Sequence, residues 1–352
     1  MFFVLKSPSV AFVQVISKVT FACGLSLLGL VSIFTSAAYA ESYKVGLLLD
    51  KAGKDDSSFN ASAFRGLQKA EKELGIESKV VEAKDAAQAE SSLRALSQRK
   101  YDLIVAIGFS QADAVNKAAA ALPASKFVIV DSEVNRPNVL SVMFAEHEGS
   151  YLMGVLAAMA SKSSSVGFIG GMNVPLIRRF EMGFDAGAKS VNPKIKVLSS
   201  YIGVTGDAFN NPPKAKELAL TQHSQGADVI FHAAGASGKG LFDAADEKKF
   251  LAIGVDSNQN NVKPGRVLTS MLKRVDVAVF EAIKQAKAGQ FKGGQVIYHG
   301  FTTGGVDWTL DENNKSLITD PMKAKVEQVK KDIISGIVKV PDYYVVSKSA
   351  KK

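Results

Sequence analysis

From Tyr43 onward the chain alternates between two hydrophobic patterns. Short apolar and β-branched runs at 43–49, 78–81, 103–107 and 126–130 predict buried parallel strands. Between them, Ala-, Lys- and Glu-rich stretches at 61–74, 88–98 and 111–121 place apolar residues on one face, which predicts helices. The rhythm then restarts. Helices are expected at 148–160, 176–188, 214–224 and 239–247, and strands at 165–169, 195–201, 227–232 and 250–255. A strand at 267–271 and a helix at 275–288 follow. Two successive βαβ blocks of roughly 100 residues predict an α/β protein with two doubly wound lobes of similar size.

Ligands of open α/β sheets bind beyond the carboxyl ends of the strands. Three aspartates stand at such ends: Asp50 after Val45-Gly-Leu-Leu-Leu49, Asp131 after Phe127-Val-Ile-Val130, and Asp256 after Leu251-Ala-Ile-Gly-Val255. One such residue alone is as readily a helix cap or a turn former. Three together suggest a polar rim around a cleft.

The first forty residues have a different pattern. Lys6 and Lys18 are the only charges before Glu41, an apolar stretch covers 19–34, and Ser36-Ala37-Ala38-Tyr39-Ala40 ends in small residues. Basic start, apolar centre and small-residue site predict a secretory signal peptide, residues 1–40, cleaved after Ala40, and a periplasmic protein. A permanent anchor would need about 20 continuous apolar residues and no processing site. Cys23, the only cysteine, lies inside this stretch without a Leu three positions before it. It is expected to be removed and not lipidated, leaving a chain without disulfide or thiol chemistry.

Charge narrows the partners. The chain carries +9, and removing the leader takes two lysines and no acid. Basic residues are interspersed with acids except at Lys348-Ser-Ala-Lys-Lys352, and no nucleic-acid-binding motif accompanies that tail. A weak attraction to an anionic membrane surface is compatible with it.

Catalytic motifs come close and fail. Gly235-Ala-Ser-Gly-Lys239-Gly240 resembles a phosphate loop, but Ala233 stands where its first Gly belongs and Gly240 where Ser or Thr belongs. Its glycines suit a tight turn that exposes helix-start N–H groups to a polar ligand. Gly108-Phe-Ser110-Gln-Ala112 lacks the closing Gly of a nucleophile elbow. The four histidines, His147, His223, His232 and His299, have no metal-ligand spacing. No nucleophile–base–orienter set is apparent, so no enzyme activity, cofactor or metal is expected.

Longer segments carry a resemblance. They include Asp55-Asp-Ser-Ser-Phe-Asn60, Glu148-Gly-Ser-Tyr-Leu152, Gly167-Phe-Ile-Gly-Gly-Met172, Arg178-Arg-Phe-Glu181, Ile253-Gly-Val-Asp-Ser257 and Leu268-Thr-Ser-Met-Leu-Lys-Arg274. Across roughly 44–300 the chain resembles the basic membrane protein family of substrate-binding proteins, best known for binding purine nucleosides for ABC transporters. The resemblance implies the type I periplasmic binding protein fold, with two Rossmann-like lobes of parallel sheet joined by a three-crossover hinge. Lobe one would be 41–145 plus 273–300, and lobe two 146–272 plus 301–352. A monomer that binds a nucleoside and partners a membrane permease, with no nucleic acid, is the implied assembly.

By the same likeness Phe59 and Phe180 would sandwich a base. Asp131 would accept hydrogen bonds from the base edge, with Asp50 beside it and Asn60 assisting. Asp256 and Lys273 would hold ribose hydroxyls, and Gly235 would offer its backbone N–H. The plainer readings are helix-face packing for the two Phe residues, a snorkelling surface side chain for Lys273 and solvent exposure for Asn60. One departure bears on the ligand. The segment from Tyr201 to Lys214 is longer than the likeness implies and offers Phe209 as a third aromatic wall. Another small polar ligand, such as a sugar or a signalling furanose, and a sensor role remain alternatives.

Overall fold

The structure, a computed structural model, describes residues 42–349. The leader and Cys23 lie outside the described residues. Twelve strands form two six-stranded sheets. The first contains β1 (Lys44–Leu49), β2 (Glu77–Glu82), β3 (Leu103–Ile107), β4 (Phe127–Val130), β5 (Val139–Phe144) and β11 (Val296–His299). Their order is β11-β5-β4-β3-β1-β2, and every pair is parallel. The second contains β6 (Ser165–Met172), β7 (Lys196–Gly203), β8 (Val229–Ala233), β9 (Leu251–Asp256), β10 (Val267–Lys273) and β12 (Val306–Trp308). It runs β12-β10-β9-β8-β6-β7, with only the β10–β12 pair antiparallel.

Both sheets contain the same doubly wound core, β2-β1-β3-β4-β5 and β7-β6-β8-β9-β10. In each, strand order reverses beside the first strand, at β1/β3 and at β6/β8, and such a switch point opens a crevice. The chain passes between the sheets three times: after β5, after β10 and between β11 and β12.

Covering helices explain the near-continuous apolar strands. Leu47 and Leu49 face a cluster that includes Leu67 of α1 (Phe59–Leu74) and Ile283 of α8 (Val275–Lys287). Leu48, pointing the other way, packs with Leu93 of α2 (Ala86–Gln98) and Val115 of α3 (Ala112–Ala121). On the second sheet, Ile169 and Ile230 pack with Ala219 of α6 (Pro212–Ser224) and Leu241 of α7 (Gly238–Lys248). Its other face is covered by α4 (Glu146–Ala160) and α5 (Pro175–Val191).

The α4 and α5 backbones touch. A Cβ built on Gly154 would lie 2.0 Å from the Phe184 carbonyl oxygen, and one on Gly187 would lie 2.0 Å from that of Tyr151. Only glycine permits that approach, which fixes α5 against the sheet. The first turns of α5 carry Leu176, Ile177, Arg179 and Phe180.

Some elements exceed what patterning assigns. β5 follows β4 through a loop, with no helix between them, so the strand–helix alternation lapses there. β11 is a four-residue edge strand, exposed on alternate residues, and β12 has three residues. The helix α9 (Asp320–Ile334) buries Met322, Val326, Val329 and Ile333, and α10 (Tyr343–Ser349) buries none of its residues.

Candidate ligand-binding site

One cavity lies where the carboxyl ends of both sheets converge. Its lining includes all nine residues singled out from the sequence: Asp50, Phe59, Asn60, Asp131, Phe180, Phe209, Gly235, Asp256 and Lys273. Its empty space, open mouth included, is about 540 Å³. The strands explain the convergence. Asp50 follows β1, Gly108 and Phe109 follow β3, and Asp131 follows β4. Gly235 lies just past β8, while Asp256 and Lys273 close β9 and β10. Asp131 (φ +69°) and Asp256 (φ +64°) occupy the left-handed region, where Asp is better tolerated than most residues.

Lys273 sits at the centre. It is 1% exposed, which excludes the snorkelling reading. Its Nζ donates to Asp131 Oδ2 at 2.6 Å and lies 3.0 Å from Glu146 Oε1. The rings of Phe59, Phe144 and Phe180 surround it, with centroids 5.1, 5.1 and 5.6 Å away. Burial lowers a lysine's basicity, but the combined pull of Asp131, Glu146 and Asp256 wins and holds the ammonium above its ordinary range.

The carboxylates pay for their burial. Asp131 is pushed up to about 6, chiefly by desolvation and against the pull of Lys273. Asp256 is pushed up to about 7 by desolvation, with Lys273 and a hydrogen bond from Ser58 opposing. Burial also raises Asp50, whose Oδ1 accepts from Asn60 Nδ2 at 2.7 Å and Ala52 N at 3.0 Å. Asn60 is buried, not solvent-exposed. Asp131 Oδ1 and Asn60 Oδ1 are buried and accept no hydrogen bond from the protein. Oriented acceptors of this kind suit N–H and O–H donors of a small polar molecule.

Aromatic faces complete the walls. Phe59 opens α1 and Phe180 lies in the second turn of α5. Phe209, in a short 3-10 turn, meets Phe109 edge-on across the cavity, with centroids 6.1 Å apart. Ser237 fixes that turn, donating to Ala208 O at 2.8 Å and accepting from Asn211 N at 2.7 Å. Gly235 takes φ +53°, as the tight turn requires. Lys239 of the near-miss phosphate loop instead reaches the Asp55 carbonyl oxygen at 3.3 Å.

Sequence reasoning passed over several lining or supporting residues. Asp56, inside a quoted motif, lines the cavity and accepts from the backbone N–H groups of Ser58, Asn60 and Ala61. Phe109, Leu176 and Ile177 also line it. Glu146, fully buried, pairs with both Lys273 and Arg179. Arg179 in turn donates to Asp342 and lies over the Tyr344 ring, tying the C-terminal segment to α5. No signal marked Glu146, because its partners come from distant strands and helices. His232 is fully buried and meets Gln259 at 3.2 Å, and among the described residues no acidic, His or Cys cluster has metal-site geometry.

Two parallel doubly wound sheets with a polar, aromatic-walled cavity between their carboxyl ends define a solute-binding protein of the periplasmic-binding type. The family model for PnrA-like ABC transporter substrate-binding proteins matches residues 43–343, and the chain belongs to this family, Bmp. The ABC transporter nucleoside-binding protein BmpA of Lactococcus lactis is 36% identical over 329 residues, covering 87% of this chain and 91% of the relative. An uncharacterized lipoprotein of Pyrococcus abyssi is 35% identical over 317 residues, covering 85% and 77%. A crystal structure of an ABC transporter solute-binding protein from Aeropyrum pernix superposes with TM-score 0.79 at 28% identity, covering 88% of this chain and 97% of that one. The family is one of solute-binding proteins, not an enzyme class. A lipoprotein among the relatives leaves the expectation that Cys23 is not lipidated without support. Among the described residues no helix is long and apolar enough to cross a membrane.

Proposed function

We propose that this protein captures a nucleoside, with purines favoured, in the cavity between its two sheet-bearing lobes and delivers it to an ABC-type permease. The carrying observation is one cavity that joins aromatic faces, Phe59 and Phe180, to carboxylates at both sheet ends and a buried lysine. A base needs flat apolar walls, and each stacked ring contributes about 0.5–1.5 kcal/mol beyond area burial. A ribose needs charged acceptors, and each such hydrogen bond contributes roughly 1.5–3 kcal/mol. Two aromatic faces with charged acceptors beyond them suit a base joined to a ribose better than a bare sugar. The name of the Lactococcus relative supports the same ligand class.

In this reading Asp131 and Asp50 face the base, Asp256 and Lys273 face the ribose, and Gly235 and Phe209 close the second-sheet side. The protein is exported. Relatives of lipoprotein type make acylated Cys23 an alternative N-terminus to Glu41, and intact mass of membrane-derived protein separates the two. The test of ligand class is calorimetric titration of unfolded and refolded protein with adenosine, guanosine, inosine, cytidine, uridine and ribose. Submicromolar purine nucleoside binding with silent ribose is expected. Absence of heat with every nucleoside overturns the reading and directs attention to the loop bearing Phe209.

A further inference from the structure

Ser58 occupies the N-cap position of α1, yet its hydroxyl makes no capping bond. Asp56 does that work, accepting from Ser58 N at 2.8 Å, Ala61 N at 2.9 Å and Asn60 N at 2.9 Å. The spared hydroxyl points across the cleft instead. It donates to Asp256 Oδ2 at 2.5 Å, joining the start of α1 to the end of β9 on the other sheet. Ser58 is fully buried there.

Neighbouring bonds reinforce the contact. Ser257 Oγ donates to the Ser58 carbonyl oxygen at 2.9 Å and accepts from Arg65 Nη2 at 2.8 Å. Gln259 Nε2 donates to the Ser57 carbonyl oxygen at 3.0 Å, while its Oε1 accepts from Val255 N at 2.9 Å. Ser57 itself is held at φ +58°. Short polar side chains from β9 and the loop beyond it thus grip one loop of the first lobe. The same Asp256 carboxylate lines the ligand cavity.

We propose that Ser58 is a positioning residue for Asp256 and, with Ser257 and Gln259, forms a latch that couples occupancy of the cavity to closure of the cleft. The inference rests on the reading of this cavity as the ligand site. An ionised Asp256 is a stronger acceptor for the Ser58 hydroxyl than a protonated one. A ligand that donates to Asp256 keeps it ionised, and so strengthens the bond that holds the lobes together. A latch made only as the cleft closes acts on escape of the ligand and not on its entry. Lys273, Asp56 and Asp131 also face Asp256, and their charges set the background against which Ser58 acts.

The experiment compares wild type, Ser58→Ala and Ser58→Thr, using adenosine and inosine as probes. Ser58→Ala is expected to weaken binding about tenfold, the worth of one net hydrogen bond to a charged acceptor. The loss should appear in the dissociation rate, and the acid limb of the affinity profile should move to higher pH because Asp256 loses a donor. Ser58→Thr, which keeps the hydroxyl, should restore both. Helix content of the ligand-free Ser58→Ala protein by circular dichroism should match wild type, since Asp56 keeps the cap. Unchanged affinity and dissociation rate in Ser58→Ala, or a loss confined to association, overturns the latch. If wild type binds neither probe, the nucleoside reading fails, and the latch is then judged by scattering of ligand-free protein. Ser58→Ala should have the larger radius, and an equal radius overturns the latch as well.

Discussion

Replacing Lys273 by methionine tests the electrostatics of the site most directly. Methionine fills a similar space among Phe59, Phe144 and Phe180 but leaves Asp131 and Glu146 without their shared cation. Removing one member of a buried ion pair typically costs about 3–5 kcal/mol. The cost should depend on pH in a definite direction. Asp131 already binds a proton up to about pH 6 in the folded protein, against 3.8 unfolded, with Lys273 pulling it down. Without Lys273 the folded carboxyl holds its proton to higher pH. Above pH 6 the folded variant then carries one proton that both its unfolded chain and folded wild type have lost. Stability of the variant therefore falls with rising pH, by about 1.4 kcal/mol per unit. The gap to wild type should widen between pH 6 and pH 8, by up to about 2 kcal/mol. Urea unfolding at pH 6, 7 and 8, followed by circular dichroism and by the fluorescence of Trp308, the only tryptophan, measures it. A gap below about 1 kcal/mol, or one that does not change with pH, refutes the assignment of Lys273 as the counter-ion of buried carboxylates.

Other outcomes follow from the same contacts. Asp256→Asn should weaken a ribonucleoside by about 2 kcal/mol in calorimetry, from the charged hydrogen-bond range, and equal affinity would remove Asp256 from the site. Burial pushes Asp256 up to about 7 from its ordinary 3.8, with Ser58 and Lys273 opposing, so closing the empty cleft is expected to take up a proton between those values, and less of one the stronger the Ser58 bond. The ligand-free radius from small-angle scattering should therefore be smallest at pH 5 and grow as pH rises through 7, while nucleoside restores compactness at pH 8; a radius indifferent to both would refute the coupling. Arg179→Leu leaves the buried Glu146 carboxylate with Lys273 as its one remaining ion-pair partner and should cost up to about 3 kcal/mol. Hydrogen exchange should show faster turnover in α10 of that variant, and unchanged exchange there would mean that Arg179 does not hold the C-terminal segment.

The fold was largely legible because buried parallel strands and amphipathic helices write different periods into the chain. Val45–Leu49 and Phe127–Val130 are apolar on both faces, and both are fully buried. The strand-end rule draws Asp50, Asp131 and Asp256 together from the sequence, and Phe59 and Phe180 join them through family likeness. What stayed hidden were pairings. β11 and β12 are too short to show a period, and they hold their places by hydrogen bonding to β5 and β10. Glu146 looks like any acid in a helix's first turn until Lys273 and Arg179 arrive beside it. Ser58 stood unmarked inside Asp55-Asp-Ser-Ser-Phe-Asn60, and only the geometry shows that Asp56 caps the helix in its place.

The grip of Asp342 on Arg179 also orders events in time. The two residues are 163 positions apart, so the guanidinium is synthesised long before one of its carboxylates exists. Until then its partners are Glu146, the Phe144 carbonyl and His147. Delivery of the chain amino end first, from a ribosome or through a membrane channel, makes the wall beside Phe180 the last part to set. A chain caught midway stays soft at that wall, which makes it easier to unravel, thread onward or degrade than the finished molecule.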